Sequence, residues 1–217
     1  MTLLSIDNKD IPLVCEWLSR ASCEWLDFGE VREFTPLVLK VLIGKKDETF
    51  RFFTSDEEPS VPIGIVALNN VSKKYKYASF WAVLGQPELS KRGYTCRALI
   101  EILKIAFLDV GLESVNCWLV DGNRPSLRLL EIMGFHYIGR QRKCHMIKGE
   151  WRDRLHFDLL RSEFEENLPY LKAKPVIPLG IVFPDNHRIE GVMQRKDLLA
   201  PAVNPCNSKR KFLDASA

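Results

Sequence analysis

Apolar residues along the first 162 positions fall into short blocks separated by polar turns, and the period within each block assigns its element. Ser5-Ile6 reads as a short first strand. Asn8 or Asp10 then caps a helix with Pro12 in its first turn and Ile11, Val14, Cys15 and Leu18 on one face. A second helix is predicted from about Pro36 to Leu42, stopped at Gly44. Phe50–Phe53, Ile63–Leu68 and Ala78–Leu84 have strand character, with Asn69-Asn70 and Ser72–Lys76 as the turn between the last two. A helix follows from about Gly93 to Asp109, with Leu99, Ile102, Leu103, Ala106 and Phe107 along one stripe. Val115–Val120 is the next strand, and Asn123 caps a helix that carries Pro125 in its first turn and ends at Gly134. Two strands near Phe135–Ile147 and Arg152–Leu160, joined at Lys148-Gly149, complete the series. The order β-α-α-β-β-β-α-β-α-β-β predicts an α/β domain on a mixed sheet.

The pattern changes at the end of the chain. Residues 163–217 hold six of the twelve prolines and a basic run, Lys209-Arg210-Lys211. The expected division is therefore a domain at 1–162 and a Pro-rich, partly ordered extension at 163–217, with the boundary near 163–170. Val176-Ile177, Leu179 and Ile181-Val182-Phe183 give that extension enough apolar surface to pack on something.

Composition excludes several classes. Hydrophobic residues at 46% and charged residues at 27% suit a globular core and exclude disorder over most of the length. No apolar run approaches the roughly 18 residues of a membrane-spanning helix, and MTLLSIDNKDIP lacks the basic-then-apolar pattern of a secretory signal. A formal charge of +3 is too weak to point to duplex nucleic acid. The six cysteines, Cys15, Cys23, Cys96, Cys117, Cys144 and Cys206, form no C-x-x-C pair and suggest neither a metal knuckle nor a disulfide framework. The expectation is a cytoplasmic protein with reduced thiols, no metal, no membrane and no nucleic acid.

Two loops carry candidate chemistry. Leu84-Gly85-Gln86-Pro87-Glu88-Leu89-Ser90-Lys91-Arg92-Gly93-Tyr94-Thr95 runs from a strand end to a helix start around a glycine. Unpaired amides at the helix start, with Lys91 and Arg92 beside them, make an anion site suited to a diphosphate; an ordinary solvated helix start explains the same residues. Asn123 through Phe135 again opens a helix after a strand, and capping alone accounts for Asn123 and Gly134.

Together these segments resemble the GNAT acetyl-CoA-dependent N-acyltransferases, in the branch of ribosomal-protein-alanine, spermidine and amino-sugar N-acetyltransferases. Pro87, Glu88, Gly93 and Ala98 match the family's loop in register, with Leu89 at its aromatic position. Asn123, Ser126, Leu129, Glu131, Gly134 and Phe135 match its second segment, and Gly139, Arg142 and Lys148–Asp153 resemble its final hairpin. The resemblance covers about 1–162 and implies a GNAT fold: a mixed sheet of six to seven strands flanked by about four helices. It implies acetyl-CoA as co-substrate, held by Val83, Leu84, Ser90, Lys91, Arg92, Gly93, Tyr94, Thr95, Asn123 and Ser126. It also implies an oxyanion-stabilising backbone amide at about Val83 or Leu84, beside a strand bulge. Ser90 and Thr95 depart from the family pattern, and Leu130 stands where the family often has a tyrosine acid.

Transfer of an acetyl group to an amine needs the amine neutral. A lysine-like amine with a pKa of about 10.4 is almost wholly protonated at neutral pH, so a base or water chain must take its proton. Glu16, Asp27 and Glu30 are the candidate bases, in a first-helix region that also holds Trp17, Cys23, Glu24, Trp25 and Phe28. Trp17 and Trp25 with these carboxylates suit a cationic acceptor or, equally, a core and a solvated face. His136, His145 and Cys117 read as structural. The leading expectation is acetyl transfer to the primary amine of a small metabolite, such as an amino sugar, by a monomer or homodimer. The alternatives are a protein N-terminal or lysine acetyltransferase, or a non-catalytic acyl-CoA-binding protein.

Overall fold

The computed structural model describes residues 1–20, 24–27, 34–45 and 48–173. Seven strands form one sheet: β1 (Leu3–Ser5), β2 (Thr49–Thr54), β3 (Pro62–Ser72), β4 (Tyr77–Leu84), β5 (Ser114–Val120), β6 (His136–Ile147) and β7 (Glu150–Leu160). Their order is β1-β2-β3-β4-β5-β7-β6. All neighbours are antiparallel except β4 and β5. The helices are α1 (Ile11–Leu18), α2 (Pro36–Ile43), α3 (Tyr94–Lys104), α4 (Arg124–Met133) and α5 (Arg161–Ala173). The mixed α/β architecture expected from the pattern is the one observed, with every predicted element in its place.

The sheet divides two apolar layers. On one face Ile11, Val14, Trp17, Leu18 and Leu39 of α1 and α2 pack with Phe52, Ile65 and Val83. On the other, Ala98, Leu99, Ile102 and Leu103 of α3 and Leu130 and Met133 of α4 pack with Val66, Leu68, Ala78, Phe80 and Leu119. Alternation along each strand sends successive side chains to opposite layers. A glycine docks α1 onto the sheet: a Cβ at Gly85 would lie 2.2 Å from the Trp17 indole. Only a residue without a side chain lets that ring close over the end of β4. Trp17 is thus core, 3% exposed.

α5 crosses the boundary expected near 163–170. Phe164 is fully buried against Phe107, ring centroids 5.2 Å apart. Leu171 is buried in the same layer. Arg161 adds hydrogen bonds to the carbonyls of Leu112 and Phe107, tying α5 to the single π-helical turn, Ile105–Asp109, that ends α3. The packed unit therefore runs on to Leu171. The apolar blocks from Val176 onward lie outside the described residues.

Candidate active site

β4 and β5 pair only at Tyr77↔Ser114, Ala78↔Val115 and Ser79↔Asn116. At the last rung the Ser79 hydroxyl donates to Asn116 Oδ1 at 2.7 Å. Beyond it the strands diverge, and a cavity of about 290 Å³ opens in the split. The lining comes from both layers. The α3–α4 face gives Phe80, Ala82, Leu84, Thr95, Cys117, Leu119, Asn123, Ser126, Leu129 and Leu130. The α1–α2 face gives Trp25, Leu26, Trp81, Val83 and Trp118.

The split exposes backbone. The Gly85 amide donates to the Ile63 carbonyl at 2.8 Å, and the pairing of β3 with β4 is unbroken from Gly64↔Leu84 to Leu68↔Phe80. In an antiparallel pair the backbone groups alternate between the two neighbours. Val83 therefore directs its N–H to β3, as Gly85 does, while Leu84 and Ala82 direct theirs toward the side β5 has vacated. This narrows one expectation. Of the pair Val83 and Leu84, Leu84 is the residue that offers an amide to the cavity. The β3–β4 register is regular from Gly64↔Leu84 to Asn69↔Ser79. Just past it the Gly85 and Gln86 amides both donate to the Ile63 carbonyl, at 2.8 and 3.1 Å, the two-against-one pattern of a β-bulge, and the divergence of β5 leaves the Leu84 amide open.

The helix start beside it has the geometry of an anion cradle. Pro87–Arg92 forms a short 3₁₀ turn, Gly93 follows with φ 75°, and α3 begins at Tyr94. Left-handed backbone of this kind favours glycine. Gly93 has no side chain with which to cap, and the first amide bonded back within the helix is that of Arg97, to the Gly93 carbonyl. The amides of Tyr94, Thr95 and Cys96 thus point out at the positive end of the helix dipole. That geometry fits the pyrophosphate of a coenzyme A. Among the expected side chains, Thr95 lines the cavity, whereas Ser90 is exposed within the 3₁₀ turn. Tyr94 is buried and donates its hydroxyl to Glu57 Oε2. Arg92, expected to add charge for the anion, is turned to Glu57 at 2.8 Å. Of Lys91 only the backbone is described.

α4 opens the second part of the cradle. Asn123 Oδ1 accepts the Ser126 amide at 3.3 Å, which makes it the cap the sequence suggested. Asn123 and Ser126 both also line the cavity. Leu130 lies one turn beyond Ser126 in the same wall, so the position often occupied by a tyrosine acid does face the site and is apolar here.

The base candidates are placed differently. Glu16 pairs with Arg20 at 2.5 Å, and Arg20 also donates to the Gly85 carbonyl. Asp27 pairs with Arg154. Neither carboxylate lines the cavity. Glu30, Cys23 and Phe28 lie outside the described residues.

Arg154 and Trp118, which the sequence did not single out, and His145, which it read as structural, hold the other wall. The Arg154 guanidinium sits 4.1 Å from the centre of the Trp118 ring. Its Nη2 meets His145 Nδ1 at 3.1 Å, and His145 Nε2 meets the Glu24 carbonyl at 2.7 Å. A carbonyl only accepts and a guanidinium only donates, so Nε2 carries the proton and Nδ1 the lone pair. A neutral imidazole therefore satisfies both partners. His145 reaches this place through a bulge: Gln141↔Arg154 and His145↔Arg152 leave two extra residues on β6. The bulge is fixed by Asp153, which accepts from the Lys143 amide and from Arg140. The result is a latch that holds segment 24–27, and with it Trp25 and Leu26, over the split.

Burial pushes the Cys117 thiol well up and the Cys96 thiol up to about 11. Both remain protonated at neutral pH. Among the described residues no cluster of His, Cys, Asp and Glu is arranged to hold a metal, and no helix is long and apolar enough to cross a membrane.

Known proteins resemble this chain. The sequence model of the acetyltransferase (GNAT) domain family matches residues 1–136. The SPbeta prophage-derived uncharacterised N-acetyltransferase YokL of Bacillus subtilis (strain 168) is 29% identical over 123 residues, 57% of this chain and 68% of that relative. The uncharacterised N-acetyltransferase p20 of Bacillus licheniformis is 21% identical over 171 residues, 76% of this chain and 94% of its own length. Spermidine N-acetyltransferase from Vibrio cholerae, solved with CoA and spermine, superposes with a TM-score of 0.67 at 19% identity, covering 76% of this chain and 97% of that one. With the family model spanning more than half of the chain and the split sheet and glycine-capped helix start in place, the chain belongs to the GNAT family and is an acyltransferase of the N-acetyltransferase type.

Proposed function

We propose that this enzyme moves the acetyl group of acetyl-CoA to the primary amine of a small acceptor in one direct step, with the nucleotide end of the co-substrate on the α3–α4 face and the acceptor on the α1–α2 face. The observation that carries this reading is the split between β4 and β5, which joins the anion cradle at Gly93–Cys96 to the aromatic wall through one cavity. Bound acetyl-CoA supplies the thioester. The Leu84 amide lies where charge develops on the carbonyl oxygen during attack, and a preorganised donor at that point is worth about 10²–10³ in rate. Cys117 lines the cavity, but burial pushes its thiol well above the ordinary value and keeps it protonated, which supports direct transfer over an acetyl-cysteine relay. Ser126 offers the departing sulfur a hydrogen bond, and a thiolate of pKa about 8.5 leaves without full protonation. Because Glu16 and Asp27 are paired with arginines away from the lining, the amine proton passes to water at the mouth of the cavity.

The test compares Leu84→Pro, which removes the amide, with Leu84→Ala, which keeps it. Proline is tolerated in a strand where its N–H would be unbonded. Thiol release from acetyl-CoA is followed against a panel of primary amines, with CoA affinity measured by calorimetry. Turnover about a hundredfold lower in the proline variant than in the alanine variant, at similar CoA affinity, is expected. Equal rates remove Leu84 from the mechanism. CoA binding by the wild type with no thiol release on any amine favours the acyl-CoA-binding alternative.

A further inference from the structure

The acceptor face of the cavity is built from indoles. Trp25, Trp81 and Trp118 converge there, with Leu26 and Val83 between them. Among the described lining residues of that face the indole N–H groups are the only polar side-chain groups, and none of the described lining residues of the cavity is a carboxylate. The nearby Asp27 is matched with Arg154, whose guanidinium already covers one face of Trp118.

We infer that the acceptor is a small monoamine whose amino group is carried on an aromatic or bulky apolar body, and that it is neither a polyamine nor an amino sugar. The inference rests on the acetyltransferase reading above and adds the class of acceptor. A polyamine brings further ammonium groups that need counter-charges or water, and the described wall gives them indole and alkyl surface instead. An amino sugar brings several hydroxyls, each of which needs a partner once desolvated. A ring or branched alkyl group asks only for shape and stacking, which three indoles supply. The latch from His145 and Arg154 to residues 24–27 keeps Trp25 in place and makes the pocket preformed.

The experiment offers phenethylamine, spermidine and glucosamine to the full chain at saturating acetyl-CoA and reads thiol release. A kcat/KM for phenethylamine at least about tenfold above either competitor is expected. Trp118→Ala should cost phenethylamine about tenfold in kcat/KM, through KM, while acetyl-CoA affinity, measured by calorimetry without amine, stays within about twofold. If Trp118→Ala is unfolded by circular dichroism, Trp81→Leu takes its place. Equal or better use of spermidine or glucosamine overturns the inference and leaves the acetyltransferase reading standing. If no amine is turned over, phenethylamine is titrated into the CoA complex, and absence of saturable binding overturns it as well. Failure of acetyl-CoA itself to bind counts against the acetyltransferase reading instead.

Discussion

The two walls of the cavity are made of different materials. The α3–α4 wall offers backbone groups: the amides after Gly93, the Leu84 amide and the capped start of α4. The α1–α2 wall works through side chains brought together from segment 24–27, β4, β5, β6 and β7. A backbone site is set by local geometry, so it depends little on which side chains stand at Ser90 and Thr95. A side-chain site depends on long-range placement, so it is free to differ from one acceptor to the next.

The contrast is broken most severely at Gly93. Gly93→Asp adds a Cβ at φ 75° and a negative charge at the cradle. CoA affinity should fall at least about a hundredfold by calorimetry, with the fold checked by circular dichroism. An affinity near wild type would show that the cofactor wall is not built on these amides.

The opposite wall is tested at Arg154. Arg154→Met keeps a stem over Trp118 and removes the ion pair to Asp27 and the donor to His145. Amine kcat/KM should drop about tenfold while the KM for acetyl-CoA holds, because only the acceptor wall loosens. A parallel loss in both substrates would mean that the two walls are not separable.

How far each wall could be read from the sequence follows from the same difference. Backbone devices need glycine, proline or a capping side chain at fixed spacings, and Gly93, Pro125, Asn123 and Gly134 stand at those spacings. The element order follows for a related reason: apolar periods of 2 and 3.6 survive in a single sequence. The latch has no period. His145 sits after two irregularities: one extra residue between Tyr137 and Gly139, which reverses the inward and outward parity from which a strand position is judged, and two more between Gln141 and His145, which break the register again. Arg154 and Trp118 occupy alternating positions that look like an ordinary solvent-facing row until β6 and segment 24–27 cover them. Asp27 and Glu16 were drawn in as bases because acidic residues beside tryptophans suggest a cation pocket, but their arginine partners are distant or one turn away. α5 was missed because Pro169 lies inside it and its apolar positions are sparse.

Asn123 lets the cap be separated from the site. Asn123→Ser should preserve melting temperature within about 2 °C, since serine caps nearly as well, and weaken CoA about threefold. Asn123→Ala should lose about 1 kcal/mol of stability in addition. An unchanged CoA affinity in both would confine Asn123 to the cap.

The smallest effect concerns acid. Asp56 is held below its ordinary range chiefly by its hydrogen bond with Arg97, and Glu57 chiefly by that from Tyr94. A carboxylate with a depressed folded value adds stability that is complete above its unfolded value, about 4, and is lost as the pH falls through the folded value. The melting temperature should therefore be flat above about pH 5 with respect to these groups and fall below about pH 4. Asp56→Asn should flatten part of that slope, and an unaltered slope would detach this loop from the stability of the cofactor wall.

The Ser79–Asn116 bond acts as the stop at the tip of a crack. A parallel ladder ends in whole repeats, and one repeat of two residues is about 6.6 Å long. The depth of the fissure therefore changes only in coarse jumps, each far longer than one methylene group. Fine discrimination of acyl chain length thus falls to the side chains at the tip, Phe80 and Cys117: trimming Phe80 would lengthen the slot by a carbon or so without moving a rung of the sheet.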